Sequence, residues 1–437
     1  MSRFIRHSIV TLIVTALLVS TLVSVSFAIE LKEAQRIARL YSDQSQIINS
    51  QRDYDDAVAR QSTAFIRPQL QGYARWVNLD SNDSNPLTSP PEREITAGAK
   101  ATQLLFAGGR IWNSVQLQSS LEQLAQLQQI GEQRTLEYDV AIGYIDVQRQ
   151  QHIQIIATDR LQQRQQEFDD AQALFEVGSA PFLDVREAQL AVQQAQNDVQ
   201  AVESNLFVAT TTFNRLLGRS TNDTLLTPSQ AFTRQSNIDQ LLQQLHQQIE
   251  DNSQLNQLMS ATNHDISTQQ QHISKGEFWP TLSLVASGES YGIHRDTMNE
   301  STAIGLQLDW AILSGGETRA KTAQAQASWQ RTQALKRKTH KQLLITHANV
   351  QQQHHDLLKQ MERQQQSVQL AKDNYDDSRA LYMEGSITLS HLGQYNLAYA
   401  ESRFTLTQLL YGHNQLFHQL HQLVSTATIA DGLAKTK

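Results

Sequence analysis

Ala173-Leu174-Phe175-Glu176-Val177-Gly178-Ser179 returns further along the chain as Ala380-Leu381-Tyr382-Met383-Glu384-Gly385-Ser386. A glycine pair, Gly108-Gly109, returns as Gly315-Gly316, and in both copies the first glycine of the pair lies 70 residues ahead of the later glycine, Gly178 or Gly385. Self-similarity at a long fixed interval marks a duplicated structural unit. Between the marks the first copy holds no proline from Arg110 to Phe175 and only two glycines, Gly131 and Gly143. Leu136, Val140, Tyr144 and Val147 recur there at spacings of three and four, the period of a helix. If continuous, this segment is a rod of roughly 100 Å. That is longer than a compact domain and suited to crossing a distance.

Working outward, each rod is preceded by two stretches that alternate with period two, the signature of strands. In the first copy these are Gln69 to Val77, with Leu70, Gly72, Ala74 and Trp76 on one face, and Thr96 to Phe106, with Ala97, Ala99, Ala101 and Leu105 on one face. A polar loop, Asp80 to Pro91, joins them. In the second copy Leu282, Leu284, Ala286 and Gly288 alternate with polar residues, as do Ile304, Leu306, Leu308 and Trp310. Phe65-Ile66-Arg67-Pro68 and Phe278-Trp279-Pro280 stop the helices ahead of the strands, since proline cannot continue the ladder. The remaining helices are expected at Leu31 to Thr63, Phe182 to Leu217, Ile238 to Lys275 and Leu389 to Val424, with a break from Gly218 to Pro228. The domain reading is a leader over 1–28, one repeat over 29–235, a second over 236–424, and a loose tail over 425–437.

Composition narrows the function. Of 437 residues 40% are hydrophobic, only seven are proline and none is cysteine, which excludes disulfides and thiolate metal sites. The net charge of −7 has no dominant basic patch behind it, so nucleic acid is not an expected partner. Arg3 and Arg6, an apolar run from Ile9 to Val25 and the small-x-small end Ser26-Phe27-Ala28 read as an export signal cleaved before Ile29. Past this leader no apolar stretch reaches the ~18 residues of a spanning helix. Membrane residence therefore requires a β-barrel.

The four strands have the length for a tilted span, ~9–11 residues, and each has one apolar or small-residue face and one polar face. Four strands cannot close a cylinder, since about eight are needed. Open edges in lipid would leave backbone groups unpaired. A barrel must then be shared between copies of the chain. Tyr73, Trp76, Tyr291 and Trp310 are the candidates for an interfacial aromatic girdle. The alternative is a pair of soluble hairpins capping a helical bundle.

These residues resemble the TolC-type outer-membrane efflux channel family over nearly the whole chain after the leader. The sharpest local likeness is Val177-Gly178-Ser179-Ala180-Pro181-Phe182-Leu183-Asp184-Val185-Arg186-Glu187-Ala188-Gln189, which is similar to the family's turn-and-return signature. Leu105-Phe106-Ala107-Gly108-Gly109-Arg110 and Leu313-Ser314-Gly315-Gly316 resemble its strand-to-helix junctions. The resemblance implies a mostly α fold with a membrane β-barrel: a homotrimer shares a twelve-stranded barrel continued by a long α-helical periplasmic tunnel. It implies a passive exit duct in the outer membrane of a Gram-negative bacterium, served by an inner-membrane transporter and a periplasmic adaptor. Val177, Gly178, Ser179, Glu384, Gly385 and Ser386 would form the periplasmic tip where the adaptor docks.

Family members commonly place acids one turn past the tip glycines, lining a closed mouth. By position this chain has Asp184 in the first copy, but His391 and Gln394 in the second. The rim is then less negative than in relatives, or, because histidine changes charge between pH 5 and 8, it is pH-sensitive. His413, His418 and His421 share one expected helix at spacings of five and three, a partial fit to a metal site. No nucleophile elbow, phosphate loop or His-Glu-x-x-His pattern occurs, so neither enzyme activity nor a cofactor is expected. Small-molecule efflux and type I protein secretion remain open as cargo classes. A periplasmic coiled-coil or adaptor protein without a pore is the alternative class.

Overall fold

The computed structural model describes residues 27–78, 93–220, 223–229, 231–292 and 299–424. The leader as far as residue 26, the whole Asp80 to Pro91 loop with its neighbours, and the 425–437 tail lie outside the described residues. The chain is mostly helical. In order it runs β1 (Phe27–Ile29), α1 (Leu31–Tyr41), α2 (Asp43–Gln61), a 3-10 turn at Ala64–Ile66, β2 (Gln69–Asn78), β3 (Arg93–Phe106), α3 (Arg110–Glu176), α4 (Phe182–Leu216), β4 (Leu226–Pro228), α5 (Ile238–Glu250), α6 (Leu255–Gly276), β5 (Thr281–Gly292), β6 (Asn299–Asp309), α7 (Glu317–Met383) and α8 (Leu389–Leu423). The two expected rods are α3 and α7, each a continuous helix of 67 residues.

Two of the expected helices are broken. The Leu31 to Thr63 segment divides at Ser42, which closes α1 through its N–H to the Ala38 carbonyl and whose Oγ accepts from the Ser45 N–H at 3.1 Å, opening α2. The Ile238 to Lys275 segment divides between α5 and α6. Asn252 takes the left-handed conformation at φ 54°, and Gln254 Oε1 caps the next helix by accepting from the Asn256 N–H at 2.7 Å. Asparagine tolerates that conformation better than other residues with side chains, which is why a polar run stops a helix with no glycine or proline.

The chain forms two compact units. Of the described residues, the first comprises 27–47, 133–244 and 348–424. Its short parallel β1–β4 pair is fastened by Asn214, whose amide bonds the backbone of Leu226 from both sides at 2.8 and 2.9 Å. Tyr144 donates to the Ile29 carbonyl at 3.1 Å and meets Phe213 edge-on with ring centroids 5.8 Å apart.

The second unit comprises residues 48–132 and 245–347. It holds an antiparallel four-stranded sheet in the order β2-β3-β5-β6. Below it, α2 runs antiparallel to α3 through Thr63–Gln118 and Arg52–Gln129 hydrogen bonds, and α6 accompanies α7 through Ser274–Thr322, Gln271–Gln326 and His264–Thr332. These ties are arginine, glutamine, serine, threonine and histidine, beside a small aliphatic cluster in which Leu127 and Leu255 are buried against Ile130, Leu258 and Met259.

Candidate functional site

The turns after α3 and α7 are built alike. Gly178 and Gly385 have φ of 79° and 73°, the left-handed region, and nothing lies within 4 Å of where a Cβ would stand. In each turn the serine N–H bonds back to the carbonyl five residues earlier at 2.8 Å, Ser179 to Leu174 and Ser386 to Leu381. This is the six-to-one bond of a glycine-terminated helix. Glycine is required by backbone conformation here, not by crowding. Val177, Gly178, Ser179, Glu384, Gly385 and Ser386 are all exposed, leaving the turns free as an outward-facing pair. The junction glycines also have positive φ: 58° and 82° at Gly108 and Gly109, and 62° and 91° at Gly315 and Gly316.

Behind the turns four helices share one core. Ala171 from α3, Ala188 from α4, Tyr375 and Tyr382 from α7, and Leu389 and Leu392 from α8 are buried together. The two alanines make room for the two tyrosine rings. Polar ties surround this core. Arg379 on α7 grips Asp170 on α3 with two hydrogen bonds, 2.8 Å from Nε and 3.2 Å from a terminal nitrogen. Asp170 holds the Arg379 guanidinium protonated beyond its ordinary range. Glu167, almost wholly buried, accepts from Arg164 at 2.6 Å and from Asn396 at 2.9 Å, and Arg164 also donates to the Gly393 carbonyl at 3.2 Å. Burial, and then the nearby negative charge of Glu167, raises the ionisation of Tyr375 well above the usual phenol range. The same pair of causes acts on Tyr382, with Asp184 as the charge.

The three expected gate residues divide. Asp184 is half-buried and accepts a long hydrogen bond, 3.4 Å, from the Tyr382 hydroxyl. His391 and Gln394 are exposed, and the His391 N–H turns back to the capping Thr388 hydroxyl at 3.4 Å. The ties from Arg379 to Asp170 and from Asn396 to Glu167 were not read from the sequence. Their signal lies in the comparison of the copies, where Phe168, Gln172 and Phe175 of the first become Tyr375, Arg379 and Tyr382 of the second. Each change adds a polar group that meets an acid on the first copy.

The sheet is sorted by face. Registered positions place Leu70, Ala74 and Trp76 with Ile95, Ala97, Ala99 and Ala101, with Leu282, Leu284 and Ala286, and with Ile304, Leu306 and Leu308 on one face. That apolar face is open: Leu70 and Ile304 are 77% exposed. The other face carries Tyr73, Arg75, Glu94, Thr96, Lys100, Glu289, Tyr291 and Gln307. Tyr73 donates to Glu289 there at 2.9 Å. Of the four girdle candidates, Tyr73 and Tyr291 therefore lie on the polar face and Trp76 on the apolar one, while Trp310, beyond the end of β6, donates its indole N–H to the Phe278 carbonyl at 3.1 Å. An exposed apolar face beside a polar one is the inverse of a sheet folded for water.

Residues 50–219 match the outer membrane efflux protein family. The fold agrees over far more of the chain. VceC, an outer membrane protein of Vibrio cholerae, superposes with a TM-score of 0.76 at 17% identity, covering 90% of this chain and 96% of its own. This is the outer-membrane efflux channel fold. The Campylobacter jejuni outer membrane channel CmeC has it too, with a TM-score of 0.76 at 11% identity over 93% of this chain and 88% of that one. The open state of the Neisseria gonorrhoeae outer membrane channel MtrE has a TM-score of 0.70 at 12% identity over 90% and 88%. Comparison with curated proteins by sequence gave no match. The efflux channel resemblance drawn from the repeated motifs thus holds, while identities this low carry the fold and nothing finer.

Proposed function

We propose that the chain is the outer-membrane exit duct of a tripartite export machine. Three copies join their sheets into a twelve-stranded barrel, the apolar face turned to lipid and the polar face to the lumen. The 67-residue helices, each about 100 Å long, form the wall of a tunnel across the periplasm. Cargo passes through passively, delivered by an inner-membrane transporter and received through a periplasmic adaptor that meets the exposed turns at Gly178 and Gly385. The leader over 1–28 directs export. The open-edged sheet with its uncovered apolar face carries this reading, because such a sheet is stable only in lipid and only when its edges are paired.

The tip network supports a gate. A tunnel mouth widens only if its helical hairpins part, and Arg379–Asp170 joins α3 to α7 where they would separate. Asp170 is buried, so loss of Arg379 leaves its carboxylate without its cation. Single-channel recording in a planar bilayer tests both ideas. Wild-type protein conducts in small steps, and Arg379→Gln gives larger or more frequent openings. Absence of any channel activity favours a periplasmic coiled-coil or adaptor protein, and equal currents in the two proteins remove the pair from the gate. Between cargo classes, gene deletion decides: dye and detergent sensitivity marks efflux, and loss of a secreted protein marks type I secretion.

A further inference from the structure

The second unit holds a cavity of about 790 Å³ between α6 and α7. Lys336, Arg337, His340 and Lys341 line it from α7, and Gln257 and His264 line it from α6. At ~100° per residue the four α7 positions share one face of that helix. Both histidines bond across the seam, His264 to Thr332 at 3.2 Å and His340 to Gln257 at 2.9 Å, so the walls are fixed before anything enters. Lys336, Arg337 and Lys341 are exposed, which leaves the cavity open to solvent.

Charge around it is one-sided. No acid lines the cavity, and α7 carries none between Glu317 and Asp356. Lys336, Arg337 and Lys341 form no ion pair among the described residues. The rod does not need these cations. The copies repeat at 207 residues, the distance from Gly108 to Gly315. Lys336-Arg337-Lys338-Thr339-His340-Lys341 therefore stands where the first copy has Gln129-Ile130-Gly131-Glu132-Gln133-Arg134. The first copy builds a helix of the same length from that sequence.

Gln257 adds a second demand. It is 5% exposed, and its Nε2 donates to the Ile249 carbonyl at 3.0 Å, which fixes the sense of the amide. Its Oε1 is then a buried acceptor, and it has no partner among the described residues. A buried polar atom left unpaired is unfavourable. The lysines and arginine call for an anion, and Gln257 calls for a hydroxyl on the same molecule. Arginine's planar fork matches phosphate oxygens. The volume is that of a small-molecule site, more than a bare ion fills. His340 lies about 35 Å along α7 from Glu317. On the duct reading that is beyond the lipid headgroups, so the occupant is soluble.

We propose that the α6–α7 cavity binds a phosphorylated, hydroxyl-bearing small molecule, a sugar phosphate by class. Its phosphate oxygens accept from Lys336, Arg337 and Lys341, and one of its hydroxyls donates to Gln257 Oε1. Equilibrium dialysis of the detergent-solubilised protein against labelled glucose 6-phosphate tests this. The protein retains the label saturably. Unlabelled glucose, which has no charge, and sulfate, which has no hydroxyl, compete about tenfold less well than unlabelled glucose 6-phosphate. No retention overturns the site, and so does sulfate competing equally, which would mean a general attraction for anions. Exchanging the exposed pair, Lys336→Gln with Arg337→Gln, weakens retention by about tenfold or more. Lys338→Gln removes a charge beside the cavity and leaves retention unchanged; an equal loss there overturns the site. Gln257→Leu narrows the advantage of glucose 6-phosphate over sulfate, and an unchanged ratio overturns the hydroxyl contact. If that variant does not fold, the exposed pair decides. Channel currents without retention overturn the site and leave the duct standing, whereas retention without currents upholds the site and removes the duct.

Discussion

His413 and His418 on α8 show how burial sets charge at single positions. His413 is 0% exposed and is pushed down to about 4, first by burial and then by the neighbouring His354. His418, 7% exposed, is likewise pushed down to about 4, by burial and then by His421. A histidine kept neutral in the fold but near 6.5 when unfolded binds fewer protons folded than unfolded between those values. Its stabilising contribution is complete above pH ~6.5 and is lost as pH falls toward 4. The effect is on the order of 3 kcal/mol for each group at full protonation. Thermal melts at pH 7.5 and 5 therefore show a loss in wild type that is reduced in the His413→Leu, His418→Leu double variant; parallel losses in the two proteins would sink this account. Their spacing on one helix was legible, but their burial was not, because α8 is apolar enough to bury several faces. The tip ties were hidden for a related reason. Arg379 and Asp170 are far apart in sequence, and each alone reads as a solvated charge.

At the scale of elements, strand and rod boundaries were legible to within a few residues, because alternation and the glycine pairs are local signals. The divisions of the amino-terminal helix at Ser42 and of the α5–α6 segment near Asn252 were not. A serine or asparagine inside a polar run ends a helix only when its side chain finds backbone to bond, and the neighbouring packing decides that. The exposed apolar face of the sheet gives a prediction at this scale. Leu306 is 67% exposed on β6. If that face meets lipid, Leu306→Arg costs roughly 2–4 kcal/mol near the bilayer midplane. Insertion of the variant into vesicles, followed by its heat-modifiable shift on gels, should be strongly reduced, whereas Gln307→Arg on the opposite face should insert normally. Equal insertion of the two would mean that the faces are not sorted between lipid and lumen.

For the whole molecule, the proposed duct makes folding inseparable from association, because its sheet has two edges to pair. A single chain is expected to be an incomplete object, and the detergent-solubilised particle is expected to have three times the protein mass of the chain without its leader by light scattering. A monomeric protein that stays in solution without detergent would contradict the duct at its root. Periodicity and duplication by themselves determined the rods, the strands and the turns. Those features depend on which residues follow one another, and steric limits on the backbone act locally. Tertiary structure alone decided which face of each strand is open, where the helices break, and which acids on the first copy meet the tyrosines and arginine of the second. Those outcomes depend on distances between residues up to some two hundred positions apart, and a linear pattern holds no record of such distances.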